Sequence, residues 1–156
     1  MSKTAFIAEP GKQEIVLVRK FAAPRAKVFS AYVDPEAIPQ WWGPRILTTV
    51  VDKLEPRHGG LWRYVQRDPQ GNEFAFRGVF HEARAPERLV RTFEFEMMPE
   101  HVLLETVDFE EAGNGTKVTA RSVFQTLAAR DGMVQSGAEA GAVESWERLE
   151  DLLSAS

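Results

Sequence analysis

Residues 45–124 alternate between hydrophobic and polar side chains, and short turn sequences interrupt this alternation repeatedly. A period of two is typical of strands that bury one face. The turns at residues 68–72 and 113–115 favour hairpins, because they combine glycine with asparagine or aspartate. Since strands joined by short turns pair in the antiparallel direction, this segment predicts six consecutive antiparallel strands.

Other patterns flank this segment on both sides. Residues 13–21 are rich in β-branched side chains and predict a first strand. Two short helices are expected next, because Pro24 and Pro35 suit first helical turns. Residues 127–153 predict one long helix, with any break expected at residues 131–132. The chain is therefore predicted to be an α+β protein, in which a curved antiparallel sheet of about seven strands wraps around a long C-terminal helix.

Length and composition narrow the class of protein. A chain of 156 residues suits one domain, which we assign to residues 13–156, with residues 1–12 as an N-terminal arm. The formal net charge of −4 argues against nucleic acid as a partner, since that would require a basic surface. No apolar run approaches the roughly 20 residues of a membrane span, so membrane insertion is not expected. The absence of cysteine excludes disulfides and fits a cytoplasmic location.

The sequence carries no recognisable motif for a metal, a cofactor or a catalytic nucleophile. Its histidines, His58, His81 and His101, lack the spacing of a metal site. The pair Gly59 and Gly60 precedes a strand and not a helix, so a phosphate-binding loop is not expected. We therefore predict no metal and no cofactor.

An ordered set of short motifs resembles the SRPBCC superfamily, also called the START-like or Bet v 1-like helix-grip fold. Within that superfamily, the chain is similar to the group named for the C-terminal domain of the Hsp90 ATPase activator. The resemblance runs from about residue 13 to the C-terminus. It rests on Pro24 with Val28 and Phe29; Asp34, Pro35 and Glu36; Trp41, Trp42, Gly43 and Pro44; Gly59 and Gly60 with Trp62 and Arg63; Asp68, Pro69 and Gly71; Gly78; Pro86, Glu87, Arg88 and Leu89; Gly115 and Thr116; and Trp146 with Leu149.

The resemblance implies a helix-grip fold with a cavity between the sheet and the C-terminal helix. Members of the superfamily bind lipids, sterols, polyketides and other apolar molecules, and some are cyclases, dehydratases or hydrolases. The name of the group implies a chaperone as an alternative partner. The resemblance does not specify a ligand or a reaction.

Side chains on the inward face of the sheet and on the long helix are the candidates for lining such a cavity. One of the two tryptophans at the end of the helical pair would line its mouth while the other anchors the pair in the core, or both would serve only as core anchors. Two glycines one turn apart on the long helix would allow close approach to the sheet or would leave open space. The full set of candidates is Trp41, Trp42, Trp62, Tyr64, Phe76, Phe80, Arg91, Phe93, Phe95, Glu105, Ser122, Met133, Gly137 and Gly141.

Three of these candidates are polar residues in the inward phase of their strands. Arg91 shares its phase with Phe93, Glu105 with Phe109, and Ser122 with Phe124. A buried charge must be paired or must meet a ligand group. The alternatives are that a β-bulge shifts the phase and turns these residues toward solvent, or that they form a purely structural pair.

Three functions remain open from the sequence. The first is a binding protein for a small apolar or aromatic molecule, as monomer or homodimer. The second is an enzyme that acts on such a molecule by acid–base chemistry. A carboxylate with a perturbed pKa in the pocket would favour this function. The third is a chaperone accessory protein. A large exposed apolar patch would favour this function.

Overall fold

A computed structural model describes residues 3–155 of the chain, in the order two strands, two helices, six strands and two helices. The elements are β1, Ala5–Ile7; β2, Glu14–Phe21; α1, Arg25–Val33; α2, Ile38–Trp41; β3, Thr48–Leu54; β4, Leu61–Arg67; β5, Glu73–Arg84; β6, Arg88–Phe95; β7, Val102–Ala112; β8, Gly115–Val123; α3, Leu127–Gln135; and α4, Ala138–Ala155. All strands belong to one antiparallel sheet in the order β1-β2-β8-β7-β6-β5-β4-β3. The α+β helix-grip fold predicted from the sequence is confirmed.

The sheet has eight strands and not seven, because part of the expected N-terminal arm is a strand. In β1, Phe6 pairs with Leu17 of β2, and the buried Arg19 donates from Nη1 to Oγ1 of Thr4 at 3.2 Å. Three residues are too few to show a periodic pattern, so the sequence does not reveal this strand. Backbone pairing with β2 is what orders it.

The predicted long helix is two helices, and its break lies further along the chain than expected. Gly137, between α3 and α4, has a φ of 86°, which side-chain-bearing residues rarely adopt. Gly132 remains inside α3. A glycine with a positive φ ends a helix far more readily than one with helical angles, so the chain turns at Gly137.

The helical pair after β2 forms as predicted, with shifted boundaries. Pro24 is the N-cap of α1 and does not lie inside it. Asp34 accepts a hydrogen bond at Oδ1 from the amide of Glu36 at 2.9 Å, so it initiates a turn as an N-cap residue does. That turn precedes α2, which begins at Ile38.

The hydrophobic core lies between the inner face of the sheet and the helices α1, α2 and α4. Trp62, Phe80 and Phe109 from the sheet are fully buried there, together with Leu149 from α4. Trp146 of α4 lies edge-on to Phe21 of β2, with ring centroids 5.5 Å apart. Tryptophan and leucine side chains therefore attach the C-terminal helix to the sheet.

Among residues 3–155, no helix is long and apolar enough to cross a membrane.

The outer face of the sheet carries ion pairs between neighbouring strands. Examples are Arg77 with Glu94 at 3.2 Å and Arg88 with Asp108 at 2.8 Å.

Candidate functional site

The segment after α2 is held over the sheet by α4. Ser145 of α4 accepts at Oγ from the amide of Gly43 and donates to the carbonyl of Trp41, both at 3.1 Å. Arg148, one turn later, donates from Nη1 to the carbonyl of Gly43 at 2.7 Å. Gly43 has a φ of 89°, where a side chain would strain the backbone, and a Cβ there would also displace Nε2 of Gln66, which lies 1.9 Å from its position.

The two tryptophans of this segment point in different directions. Trp41 is buried and donates from Nε1 to the carbonyl of Ala31 at 3.0 Å. Trp42 is half-buried, and its ring centroid lies 5.0 Å from that of Tyr64 and 5.3 Å from that of Phe76. Trp41 therefore secures the segment, whereas Trp42 presents its ring to the inner face of the sheet.

A cleft of about 340 Å³ lies between this segment, α4 and the sheet. One wall is aromatic and includes Trp42, Phe76 and Phe93. The opposite wall belongs to α4 and is built from four small residues together with Trp146. The small residues are Ala138, Gly141, Ala142 and Ser145. The cleft exists because α4 presents these small residues opposite the large rings of the aromatic wall.

A buried ion pair lies at the polar end of the cleft. Arg91 of β6 and Glu105 of β7 are directly opposite each other, in a register that is continuous between these strands. Arg91 is 2% exposed and donates from Nε to Oε1 of Glu105 at 2.7 Å. Its Nη1 donates to Oη of Tyr64 at 3.3 Å, and its Cζ lies 4.4 Å from the centroid of the Trp62 ring. The aromatic rings and the carboxylate together hold the guanidinium in place.

Burial and charge set the protonation of these groups. Burial opposes the charged form of Arg91, but Glu105 and Tyr64 more than offset it, so the pKa of Arg91 is raised. Burial raises the pKa of Tyr64, against the influence of Arg91. The cation therefore persists at neutral pH, and the phenol remains a neutral donor.

A second buried phenol belongs to Tyr32 of α1, which lines the cleft. Its Oη accepts a hydrogen bond from Nε1 of Trp146 at 2.9 Å. Burial, and after it the charge of Glu105, raises the pKa of Tyr32, so this hydroxyl also stays protonated.

Of the fourteen residues proposed from the sequence, seven lie at the cleft. They are Trp41, Trp42, Phe76, Arg91, Phe93, Glu105 and Gly141. Register explains why the polar pair is among them. The bulges of the sheet fall between Val51 and Lys53 and between Phe80 and Glu82, so they leave the alternation of β6 and β7 intact.

The other seven proposed residues do not line this cleft. Trp62, Tyr64 and Phe80 lie beneath it, buried in the core. Phe95 is stacked on Phe76 at a centroid distance of 5.0 Å, further out along the sheet.

The remaining three lie beyond its ends. Ser122 is opposite Glu105 on β8, one inward position past Ala120, which is the cleft residue of that strand. Met133 belongs to α3, and Gly137 forms the break before α4. The sequence predicted Met133 and Gly137 on one long helix beside the sheet. The break at Gly137 instead places Met133 on the separate helix α3, outside the residues that line the cleft.

The sequence did not suggest Tyr32, Gln66 or Ser145 as site residues. Tyr32 lies on the apolar stripe of α1 and looked like core. Gln66 shares the inward phase of Trp62 and Tyr64 on β4, which is the signal that could have identified it. Nothing in the local sequence separates Ser145 from an ordinary helix residue.

Two other kinds of site are relevant within residues 3–155, a metal cluster and a second depression with charged residues. Residues 3–155 bring no three His, Asp or Glu side chains together in a way that could hold a metal ion. A depression of about 390 Å³ lies beside α4 and is lined in part by Arg45 and Arg148. Arg45 is paired there with Asp151 at 3.0 Å, and Arg148 is bound to the backbone of Gly43.

Comparison with solved structures supports the fold. A protein from Rhodobacter sphaeroides is 25% identical, with a TM-score of 0.89 over 97% of this chain and 100% of that one. A protein from Staphylococcus epidermidis is 29% identical, with a TM-score of 0.82 over 94% of this chain and 93% of that one. A protein from Mycobacterium smegmatis, 22% identical, has a TM-score of 0.87 over 98% of both chains and shows the fold alone.

The comparison with curated proteins gives no match. The family model described as Activator of Hsp90 ATPase homolog 1-like protein matches residues 22–154. That range includes every element from α1 through α3 and nearly all of α4. The chain therefore belongs to the family of Activator of Hsp90 ATPase homolog 1-like proteins.

Proposed function

We propose that this protein binds a small, mainly apolar or aromatic molecule in the cleft between α4 and the sheet. The observation that carries the proposal is the contrast between its two walls. Large rings such as those of Trp42 and Phe93 face the stretch 138–145 of α4, whose residues at the cleft all have small side chains. The volume of about 340 Å³ falls within the usual range for ligand sites, and a few polar groups at one end are typical of them.

Gly141 is the clearest sign that the space is kept open. A Cβ built on it meets no atom within 4 Å, and it lies at the cleft inside α4. Glycine in a helix interior costs about 1 kcal/mol relative to alanine. Packing does not require a glycine here, so we attribute it to the need for room beside the aromatic wall.

The charged pair favours binding over acid–base catalysis. A carboxylate that works as a catalytic acid or base usually lies unpaired in an apolar environment or beside a like charge. Glu105 is instead bonded to Arg91 at 2.7 Å. We therefore assign to the pair the role of orienting a polar group of the ligand.

The family name also suggests a chaperone as a partner. The outer face of the sheet carries ion pairs such as Arg63 with Glu96 at 2.7 Å, which are more typical of a solvated surface. The cleft is therefore the better-supported site.

The proposal is tested with N-phenyl-1-naphthylamine, a neutral apolar probe whose fluorescence increases in apolar surroundings. We expect one probe to bind per chain and to quench tryptophan emission, because Trp41, Trp42 and Trp146 all line the cleft. Fluorescence titration and native mass spectrometry measure the two effects. A folded protein that binds neither this probe nor any co-purifying small molecule would contradict the proposal.

A leucine at position 141 should block the site without unfolding the protein. The Gly141→Leu variant places four extra carbon atoms in open space at the helix wall, and it replaces a poor helix former. We expect probe affinity to fall at least about tenfold, as for the loss of 1.4 kcal/mol of binding energy, while thermal stability is unchanged or higher. The matched control is Gly132→Leu, since Gly132 also lies in a helix with open space at its Cβ but away from the cleft. If both variants bind the probe equally well, α4 does not form part of the binding site.

A further inference from the structure

At the polar end of the cleft, Glu105 and Tyr32 each keep unused hydrogen-bonding capacity. Glu105 uses Oε1 to accept from Arg91, and its Oε2 has no hydrogen-bond partner among residues 3–155. The side chain of Glu105 keeps 20% of its surface exposed and lines the cleft. The hydroxyl of Tyr32 accepts from Trp146, and within the same described part of the chain its own hydrogen has no acceptor.

The same end of the cleft carries no net charge. Arg91 and Glu105 neutralise each other, and the phenols of Tyr32 and Tyr64 are protonated because burial raises their pKa. A ligand carboxylate would add a third charge, because Arg91, the cation among the described lining residues, is already paired with Glu105. An uncompensated charge in such a place is costly. A ligand ammonium would meet a carboxylate that the guanidinium already neutralises.

We propose that the cleft selects a neutral aromatic or alicyclic molecule that carries a hydroxyl group. The hydroxyl hydrogen donates to Oε2 of Glu105, and the hydroxyl oxygen accepts from the phenol of Tyr32. The ring of the ligand packs against Trp42 and Phe76. This inference rests on the proposed function, since it specifies the class of ligand that the same cleft takes.

Four probes of one ring system separate the possibilities: naphthalene, 2-naphthol, 2-naphthoate and the 2-naphthylmethylammonium ion. Each is titrated at neutral pH against protein loaded with N-phenyl-1-naphthylamine, and the concentration for half displacement is measured. We expect 2-naphthol to displace the fluorescent probe at about tenfold lower concentration than each of the other three, as one or two hydrogen bonds predict. Tightest displacement by the naphthoate or the ammonium ion, or no preference for the naphthol over naphthalene, overturns the inference and leaves the proposed function standing. Binding by none of the probes, N-phenyl-1-naphthylamine included, overturns both.

Two variants identify the groups responsible. Glu105→Gln leaves the charge of Arg91 uncompensated, so 2-naphthoate should gain at least about tenfold in affinity and 2-naphthol should lose its advantage. Tyr32→Phe removes the phenol donor, together with the acceptor for Nε1 of Trp146, and leaves the charges of the pair unchanged. The preference for 2-naphthol over naphthalene should therefore fall by about threefold to tenfold. The comparison among probes in the wild-type protein stands even if one variant does not fold. An unchanged order of probes in both variants, each shown to be folded by circular dichroism, overturns the inference.

Discussion

Replacing Glu105 by leucine is expected to lower the free energy of unfolding by about 3–5 kcal/mol, the usual cost of removing one partner of a buried ion pair. The loss is large because Arg91 would remain charged at 2% exposure, with only the hydroxyl of Tyr64 as a hydrogen-bond partner. Urea denaturation followed by circular dichroism measures it, provided that the slope of the transition matches that of the wild-type protein.

The double variant Arg91→Met with Glu105→Leu is the control for this prediction. Replacing a buried ion pair by apolar residues of similar volume is often neutral or stabilising. The double variant should therefore be more stable than Glu105→Leu alone. If both are destabilised alike, or if Glu105→Leu costs less than about 1 kcal/mol, the pair does not hold this part of the sheet in the way described.

Truncating Trp146 to alanine is expected to cost about 3–5 kcal/mol of unfolding free energy, as for large aromatic residues in other cores. Trp146 is 4% exposed, lies edge-on to Phe21 and donates to the hydroxyl of Tyr32. Its removal would leave a void between α4 and the sheet and would free the phenol at the cleft. Chemical denaturation measures the effect on stability.

The matched control is Glu147→Ala, because Glu147 is the exposed neighbour of Trp146 on the same helix. Exposed substitutions of this kind usually change stability by less than about 0.5 kcal/mol. A cost under about 1 kcal/mol for Trp146→Ala would show that this tryptophan does not anchor α4.

Stability and the proposed binding use the same groups. Trp146 holds the C-terminal helix and also orients the hydroxyl of Tyr32. Arg91 and Glu105 are a structural pair, yet Glu105 keeps an unused oxygen at the cleft. The polar end of the cleft is therefore pre-organised before a ligand arrives, which reduces the ordering cost of binding.

The strand pattern of the sequence predicted every strand of the sheet except β1. Alternation along β6 and β7 assigned Arg91 and Glu105 to the inner face unless a β-bulge shifted the phase, and the structure has them directly opposite each other. This inference was possible because strand periodicity is a local property and no bulge interrupts these two strands. The same reasoning could not give the distance between the two side chains or their bond to each other.

The position of the C-terminal helix decided the remaining features of the site. The chain breaks at Gly137 and not at Gly132, so Met133 lies on α3, outside the cleft. The position of the break depends on the positive φ of Gly137, which the helical pattern does not encode. Tyr32 became a site residue only because α4 brings Trp146 to its hydroxyl. The sequence by itself determined which residues face inward, since that follows from backbone periodicity. Only the tertiary structure decided which inward residues border open space, because that depends on how closely a distant helix packs against them.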